Sequence, residues 1–182
     1  MEKRNKRVNV DKNVEVLIVN NSNKRIIFDS PRMQTPIDLE QKGDQEFITV
    51  SDLRTMVNAN RKMFESFTLI VVDIIHDDYT LEDLFRFVGL DKSYNEYYSL
   101  RPNSKDKSIN TNDIENFILK SNGKRFEDIL KNSSVELHNK IVQESVILFK
   151  EGKLNDYNKM NTIKVAVGND DLFLDAEETN KQ

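Results

Sequence analysis

The side chains best suited to chemistry are the acidic residues around His76. Asp73, Asp77 and Asp78 fall within IVVDIIHDD, at the end of the most apolar predicted strand. Carboxylates at the carboxyl end of a strand can bind Mg²⁺ or activate water, so a metal-dependent hydrolase is one hypothesis. Asp77 and Asp78 directly precede Thr80, where a helix is predicted to begin, and acidic residues are common at helix N-termini. We prefer this structural interpretation and predict neither a metal nor a catalytic residue.

Other kinds of catalytic chemistry lack their residues or their spacing. The chain contains no cysteine, and His76 and His138 lie far apart without the HxH or HExxH spacing of metal ligands. The phosphate-binding patterns GxxxxGKS/T and GxGxxG are absent, as are the nucleophile motif GxSxG and the calcium loop DxDxDG. The sequence therefore predicts a protein that is not an enzyme and needs no cofactor.

Composition and charge narrow the class of protein further. The 182 residues are 37% hydrophobic and 32% charged, and the formal net charge at pH 7 is −4. Such a chain can bury a modest core and offers no overall positive field to a nucleic acid. Even its longest apolar runs, such as Leu69–Val72, are far shorter than the ~20 residues of a membrane helix. We expect a soluble protein without a membrane partner, and the charge does not favour a nucleic-acid partner.

The first part of the chain is predicted to be rich in strands. VEVLIV at 14–19 and RIIF at 25–28 flank the turn formers NNSNK and predict a hairpin. IDL at 37–39 and FITV at 47–50 flank a Gly-Asp turn and predict a second hairpin. Two prolines between the hairpins indicate a crossing loop or a sheet edge. The segment TLIVVDII at 68–75 is apolar enough to predict a central strand.

Helices are predicted wherever a side chain that can cap free N–H groups precedes an amphipathic segment. The predicted caps are Ser51, Thr80, Thr111, Ser134 and Asp156. The fold class is therefore α+β, with a small, mostly antiparallel N-terminal part containing one or two helices and a C-terminal part of about four short helices. A polar stretch at 100–109 favours a boundary, which divides the chain into a β-rich domain at 1–100 and a helical domain at 101–182.

The two ends of the chain carry opposite charge. A basic N-terminal arm contains four cations and the last thirteen residues form an acidic tail. These ends are either solvated termini or arms that order on a neighbouring subunit. A tyrosine cluster, SYNEYY, is predicted to lie in a polar loop, where its rings either cover the edge of a core or anchor an interface. The residues predicted for an interface are the arm, the first hairpin and this cluster: Lys3, Arg4, Lys6, Arg7, Val14, Val16, Ile18, Ile26, Phe28, Tyr94, Tyr97 and Tyr98.

Several segments in this order resemble small virion structural proteins of large tailed bacteriophages. The resemblance covers VEVLIVNNSNKRIIF, a loop with DS-P, a Gly-Asp turn, FITVSDLRTM, FTLIVVD and, late in the chain, LFKEGKLNDYNKM. It is a likeness of general pattern across most of the chain and carries no catalytic residue with it. It implies a subunit that is made in the host cytoplasm, enters the virion, and binds other virion proteins and copies of itself.

Two hypotheses follow for the function. The first is a non-enzymatic virion protein of the head, neck or tail, which binds its neighbours through the β-rich part and the terminal arms. The alternative is a small regulatory module that binds nucleic acid or a host protein through its helical half. Lys120, Lys124, Arg125 and Lys131 would serve that role, although acidic residues alternate with them and leave a surface of mixed charge.

Overall fold

A computed structural model describes residues 9–102 and 107–174 of the chain. It has the α+β fold class that the sequence predicts, with an antiparallel strand region first and helices after it. The described residues form two compact units. The first comprises residues 9–98 and 107–111, and the second comprises residues 99–102 and 112–174.

The first unit contains a three-stranded antiparallel sheet and a separate two-stranded ribbon. Its strands are β1 (Glu15–Asn20), β2 (Ile26–Phe28), β3 (Ile37–Leu39), β4 (Gln45–Thr49) and β5 (Leu69–Ile75). The sheet has the order β4-β1-β5, and β2 pairs only with β3. Both predicted hairpins are therefore wrong in their pairing, since β1 does not pair with β2, nor β3 with β4. The prediction that β5 is central is also wrong, because β1 occupies the centre.

The side chain of Asn20 explains why the chain leaves the sheet after β1. Its amide nitrogen donates to the carbonyl oxygen of Lys24 at 2.8 Å and to that of Leu39 at 3.3 Å. Its side-chain oxygen accepts from the backbone N–H of Ser22 at 2.9 Å. The turn is thereby fastened to β3, so β2 runs beside β3 and leaves both edges of β1 to β4 and β5. This contact joins residues far apart in sequence, and turn propensity carries no information about it.

Four helices complete the first part of the chain: α1 (Val50–Ala59), α2 (Arg61–Glu65), α3 (Leu81–Val88) and α4 (Asp91–Ser99). Thr49, and not Ser51, caps α1, because its hydroxyl accepts from the N–H of Asp52 at 3.1 Å. The predicted start of α3 is confirmed: Thr80 is its N-cap and forms a reciprocal capping box with the third helical residue.

The second unit consists of α5 (Asp113–Lys120), α6 (Gly123–Asn132), α7 (Val135–Lys150) and α8 (Tyr157–Val167). Ser134 and Asp156 cap α7 and α8 as predicted. The predicted cap Thr111 is wrong by one residue, since Asn112 is the N-cap of α5 and makes no side-chain cap. No helix in residues 9–102 and 107–174 combines the length and apolar character needed to cross a bilayer.

A buried lysine ties α8 to the end of α5. The ammonium group of Lys159 donates to the carbonyl oxygens of Ile118 at 2.7 Å and Leu119 at 3.3 Å. These carbonyls belong to the last turn of α5, where backbone acceptors have no partner within the helix. Burial lowers the pKa of Lys159, while the carboxylate of Asp156 opposes this shift. The lysine thus satisfies a helix C-terminus that has no capping side chain.

Candidate functional site

The tyrosine cluster is part of the core of the first unit. The predicted loop is wrong, because these residues lie on α4, and Tyr94, Tyr97 and Tyr98 are all buried. The ring of Tyr94 stacks on that of Phe85, with 3.7 Å between their centroids. Its hydroxyl accepts from the backbone N–H of Val71 at 2.9 Å, and burial raises the pKa of this phenol well above its usual range. Of the two predicted roles, the cluster covers the core edge and does not present its rings as interface anchors.

The apolar residues predicted for an interface in the first hairpin also face the core. β1 lies between two strands and its alternate side chains point into the first unit. Four of these residues are buried and the fifth is half-buried, so within this unit they pack in the core and leave little surface for a partner; they are Val14, Val16, Ile18, Ile26 and Phe28. The four basic residues predicted for the same interface lie outside the described residues, and these are Lys3, Arg4, Lys6 and Arg7.

The acidic residues around His76 do not assemble into a metal site. Asp73, Asp77 and Asp78 are exposed. The N–H of Asp78 donates to Nδ1 of His76 at 3.1 Å, which is a local turn contact. Within the part of the chain that the structure describes, no three His, Asp or Glu side chains are arranged to hold a metal ion. Asp77 and Asp78 lie in the strand-to-helix turn before α3, whereas Asp73 lies within β5, and no metal-binding arrangement among the described residues supports the hydrolase hypothesis.

One edge of the sheet is closed by side chains. In the antiparallel β1–β5 ladder, residues of β5 direct their backbone groups alternately toward β1 and away from it. The N–H groups of Val71 and Ile74 point away from β1. The first donates to the Tyr94 hydroxyl, and the second donates to Oδ1 of Asp73 at 2.8 Å. An edge whose N–H groups already have side-chain partners offers fewer free donors to another strand. The β5 edge is therefore protected against strand addition.

The opposite edge, formed by β4, is open. Backbone hydrogen bonds join Val50 to Val14 and Asn20 to Asp44, at the two ends of the β1–β4 ladder. Hydrogen-bonded pairs alternate in an antiparallel ladder, so Phe47, which lies opposite Leu17, directs its N–H and C=O groups away from β1. We call this row of outward groups on Gln45–Thr49 the β4 edge. It is the edge of this sheet to which a further strand can pair.

An apolar face adjoins the β4 edge. The Phe47 side chain is 52% exposed, and Ile75 on the far strand is 47% exposed. Leu17, directly opposite Phe47 on the central strand, is half-buried between them. Glu15 and Asp73 place carboxylates on the same face, because they pair in register with Ile75 and Leu17. A partner for this face needs apolar side chains with basic residues around them.

Sequence reasoning missed the β4 edge although it predicted the strand. FITV at 47–50 is predicted to pair with IDL at 37–39 as one arm of a hairpin, whereas in the structure it pairs with β1. The apolar character of Phe47 gives no hint of exposure, because strand cores and strand interfaces use the same residue types. A weak signal exists in the preceding residues: Gln45 and Glu46 are polar, as is common on unpaired edge strands.

The basic residues of α6 do not form a continuous positive surface. The carboxylate of Glu127 accepts a hydrogen bond from Lys131, and this contact raises the pKa of the lysine. The negative charge of Glu127 therefore offsets the positive charge of Lys131. Arg125 donates to the carbonyl oxygens of Ser99 and Leu100, at 2.9 Å each. Lys124 is exposed and makes no side-chain hydrogen bond or ion pair with the described residues. The surface of mixed charge does not favour binding to a nucleic acid.

Comparison with known proteins finds no relative of this chain: no family model matches it, and neither a curated protein nor a solved structure matches it significantly.

Proposed function

We propose that this protein is a non-enzymatic assembly subunit that binds a neighbouring protein by strand addition at the β4 edge. The observation that supports this proposal most directly is that the two edges of one sheet differ in whether their outward backbone groups already have partners. Side chains occupy the outward N–H groups of Val71 and Ile74 on β5, whereas Phe47 presents its backbone groups and a half-exposed ring at the other edge. Strand addition supplies affinity through backbone hydrogen bonds and specificity through side-chain pockets.

The setting we propose is a phage particle, where the partners are other virion proteins and copies of this chain. This part of the proposal rests on the resemblance of the sequence to virion proteins. The non-enzymatic part rests on the lack of catalytic motifs in the sequence. The apolar outer face with its carboxylates supports a protein partner that carries apolar and basic side chains. In this proposal the chain is made in the host cytoplasm and becomes part of the virion.

A proline substitution tests strand addition without disturbing the fold. The N–H of Phe47 points away from β1, so Phe47→Pro removes an edge donor and leaves the β1–β4 ladder intact. The matched control is Phe47→Leu, which keeps both the donor and an apolar side chain. Particles purified by density from cells producing each variant are analysed by mass spectrometry for copies of this chain relative to the major shell or tube protein.

We expect the wild-type chain and Phe47→Leu in a fixed ratio to the major protein, and Phe47→Pro reduced at least tenfold. Circular dichroism of the purified variants establishes that Phe47→Pro is folded. As an internal check, Glu46→Pro removes an N–H that points toward β1 and therefore unfolds the sheet. Absence of the wild-type chain from particles refutes the virion setting. Incorporation of folded Phe47→Pro at the wild-type ratio refutes strand addition at this edge.

A further inference from the structure

A pocket in the second unit combines apolar walls with an excess of hydrogen-bond donors. It has a volume of about 260 Å³ and lies where residues 99–102 meet α5 and α6. Leu100, Pro102 and Phe117 supply its apolar surface. Arg101 and Asp113, whose side chains approach to 3.5 Å, form an ion pair on one side. The volume suits a small ligand or a single functional group of a larger one.

A buried hydroxyl without a partner lines this pocket. Ser121 is only 9% exposed, and its Oγ is buried and makes no hydrogen bond. A buried hydroxyl that forms no hydrogen bond is costly, because it loses its interaction with water and gains nothing in return. Most such groups in folded proteins have a partner, so an orphan in the wall of a pocket indicates a group that the ligand satisfies.

Three further donors line the same pocket. Arg125 uses Nη2 for two backbone carbonyls, which fixes its guanidinium group, and Nε and Nη1 remain as donors. Lys120 and Asn116 contribute an ammonium and an amide, and neither makes a side-chain hydrogen bond or ion pair with the described residues. Together with Ser121, the pocket therefore offers four polar side chains that can donate to one ligand.

The charge of the pocket is opposite to that of the protein. Lys120, Arg101 and Arg125 carry three positive charges, and Asp113 carries one negative charge. The net value of about +2 stands in a chain whose formal charge is −4. A phosphate group has up to two negative charges near neutral pH and several acceptor oxygens, whereas a carboxylate has one charge and two oxygens. The number of donors and the charge both match phosphate better.

We propose that this pocket binds the phosphate group of a small ligand, with Lys120, Ser121 and Arg125 as its principal donors. Arg125 is held in place before binding by the carbonyls of Ser99 and Leu100, which lowers the entropic cost of ligand binding. The apolar wall then contacts whatever carbon skeleton the phosphate carries. This site is independent of the β4 edge, since all its residues belong to the second unit.

The test is a titration of the full ¹⁵N-labelled chain with sodium phosphate at pH 7, followed by NMR, with ionic strength held constant by sodium chloride. We expect saturable shifts at the amides of Asn116, Ser121 and Arg125. The few atoms of phosphate limit its affinity, so the expected Kd lies between about 10 μM and 5 mM. A parallel titration with sodium acetate separates phosphate from carboxylate recognition.

Three variants assign the binding to the pocket. Lys120→Ala is expected to raise the phosphate Kd about five- to tenfold, and Ser121→Ala about three- to tenfold. Ser121→Ala replaces an unpaired hydroxyl, so the variant keeps its fold. Lys124→Ala, the exposed lysine that does not line the pocket, is the matched control and changes the Kd less than twofold. Shifts that fail to saturate, equal effects of the two lysine variants, or tighter binding of acetate than of phosphate overturn the proposal.

Discussion

Substitution of Tyr94 by phenylalanine isolates a single hydrogen bond at the closed edge of the sheet. The variant keeps the ring, including its stacking on Phe85 at 3.7 Å between centroids and its edge contact with Phe67 at 5.9 Å. It removes the hydroxyl that accepts from the N–H of Val71 at 2.9 Å. That N–H is then buried without a partner, which costs about 1–3 kcal/mol of the free energy of unfolding. The loss is due to an unmade bond, since the apolar packing is unchanged.

The assay is urea unfolding followed by circular dichroism, combined with hydrogen exchange at the amide of Val71. We expect a lower free energy of unfolding for Tyr94→Phe and faster exchange at Val71. The matched control is Tyr79→Phe, because the Tyr79 hydroxyl makes no hydrogen bond with the described residues and its ring keeps its contact with His76. A loss below about 0.5 kcal/mol, or equal losses in the two variants, refutes the role of Tyr94 at this edge.

Stability at alkaline pH provides an independent check on Tyr94. Burial raises the pKa of its phenol above the ordinary value of 10, so the folded state retains this proton when the unfolded state has lost it. The contribution to stability is complete below pH 10 and is lost as the pH rises above it. Between pH 9 and 11.5 we expect the free energy of unfolding to fall more steeply for the wild type than for Tyr94→Phe. Parallel curves would show that this phenol titrates normally.

Two further substitutions address helix ends in each unit. Gly89 ends α3 at φ 76°, a backbone conformation in which a side chain is strained. In urea titrations we therefore expect Gly89→Ala to lower the free energy of unfolding by about 1–2 kcal/mol. The control Gly123→Ala, at a helical position with open space around it, should not lower this free energy. Lys159→Met retains most of the apolar stem but leaves the carbonyls of Ile118 and Leu119 without their donor. Thermal unfolding should therefore show a free energy of unfolding that is lower by about 1–3 kcal/mol. An unchanged melting temperature would contradict the capping role of Lys159.

Helix positions were predictable because their determinants lie within a few residues of one another. Thr80, Ser134 and Asp156 each place an oxygen near the first free N–H groups of the helix that follows, and the structure places a cap at each. Two of the errors are shifts of one or two residues, since Thr49 caps α1 in place of Ser51 and Asn112 precedes α5 in place of Thr111. The larger error is α4, which is predicted as a loop although it forms a helix.

The candidate interface and pocket were not predictable, because both depend on which strands and helices meet. The apolar pattern of 14–28 indicated strands, but a strand core and a strand interface have the same composition, and the buried side chains of β1 belong to the core. Ser121 gave no signal in the sequence, since its orphan hydroxyl matters only once Arg125 and Lys120 line the same pocket.

The sequence by itself determined the α+β class, the positions of the five strands, the N-caps Thr80, Ser134 and Asp156, and the lack of catalytic motifs. These properties follow from local periodicity and capping, which act between neighbours along the chain. Tertiary structure alone decided that β1 is central, that Tyr94 closes one sheet edge, and that Phe47 remains at the open one. Strand pairing is a choice among segments of similar propensity, and it is settled by long-range contacts such as that of Asn20 with Leu39.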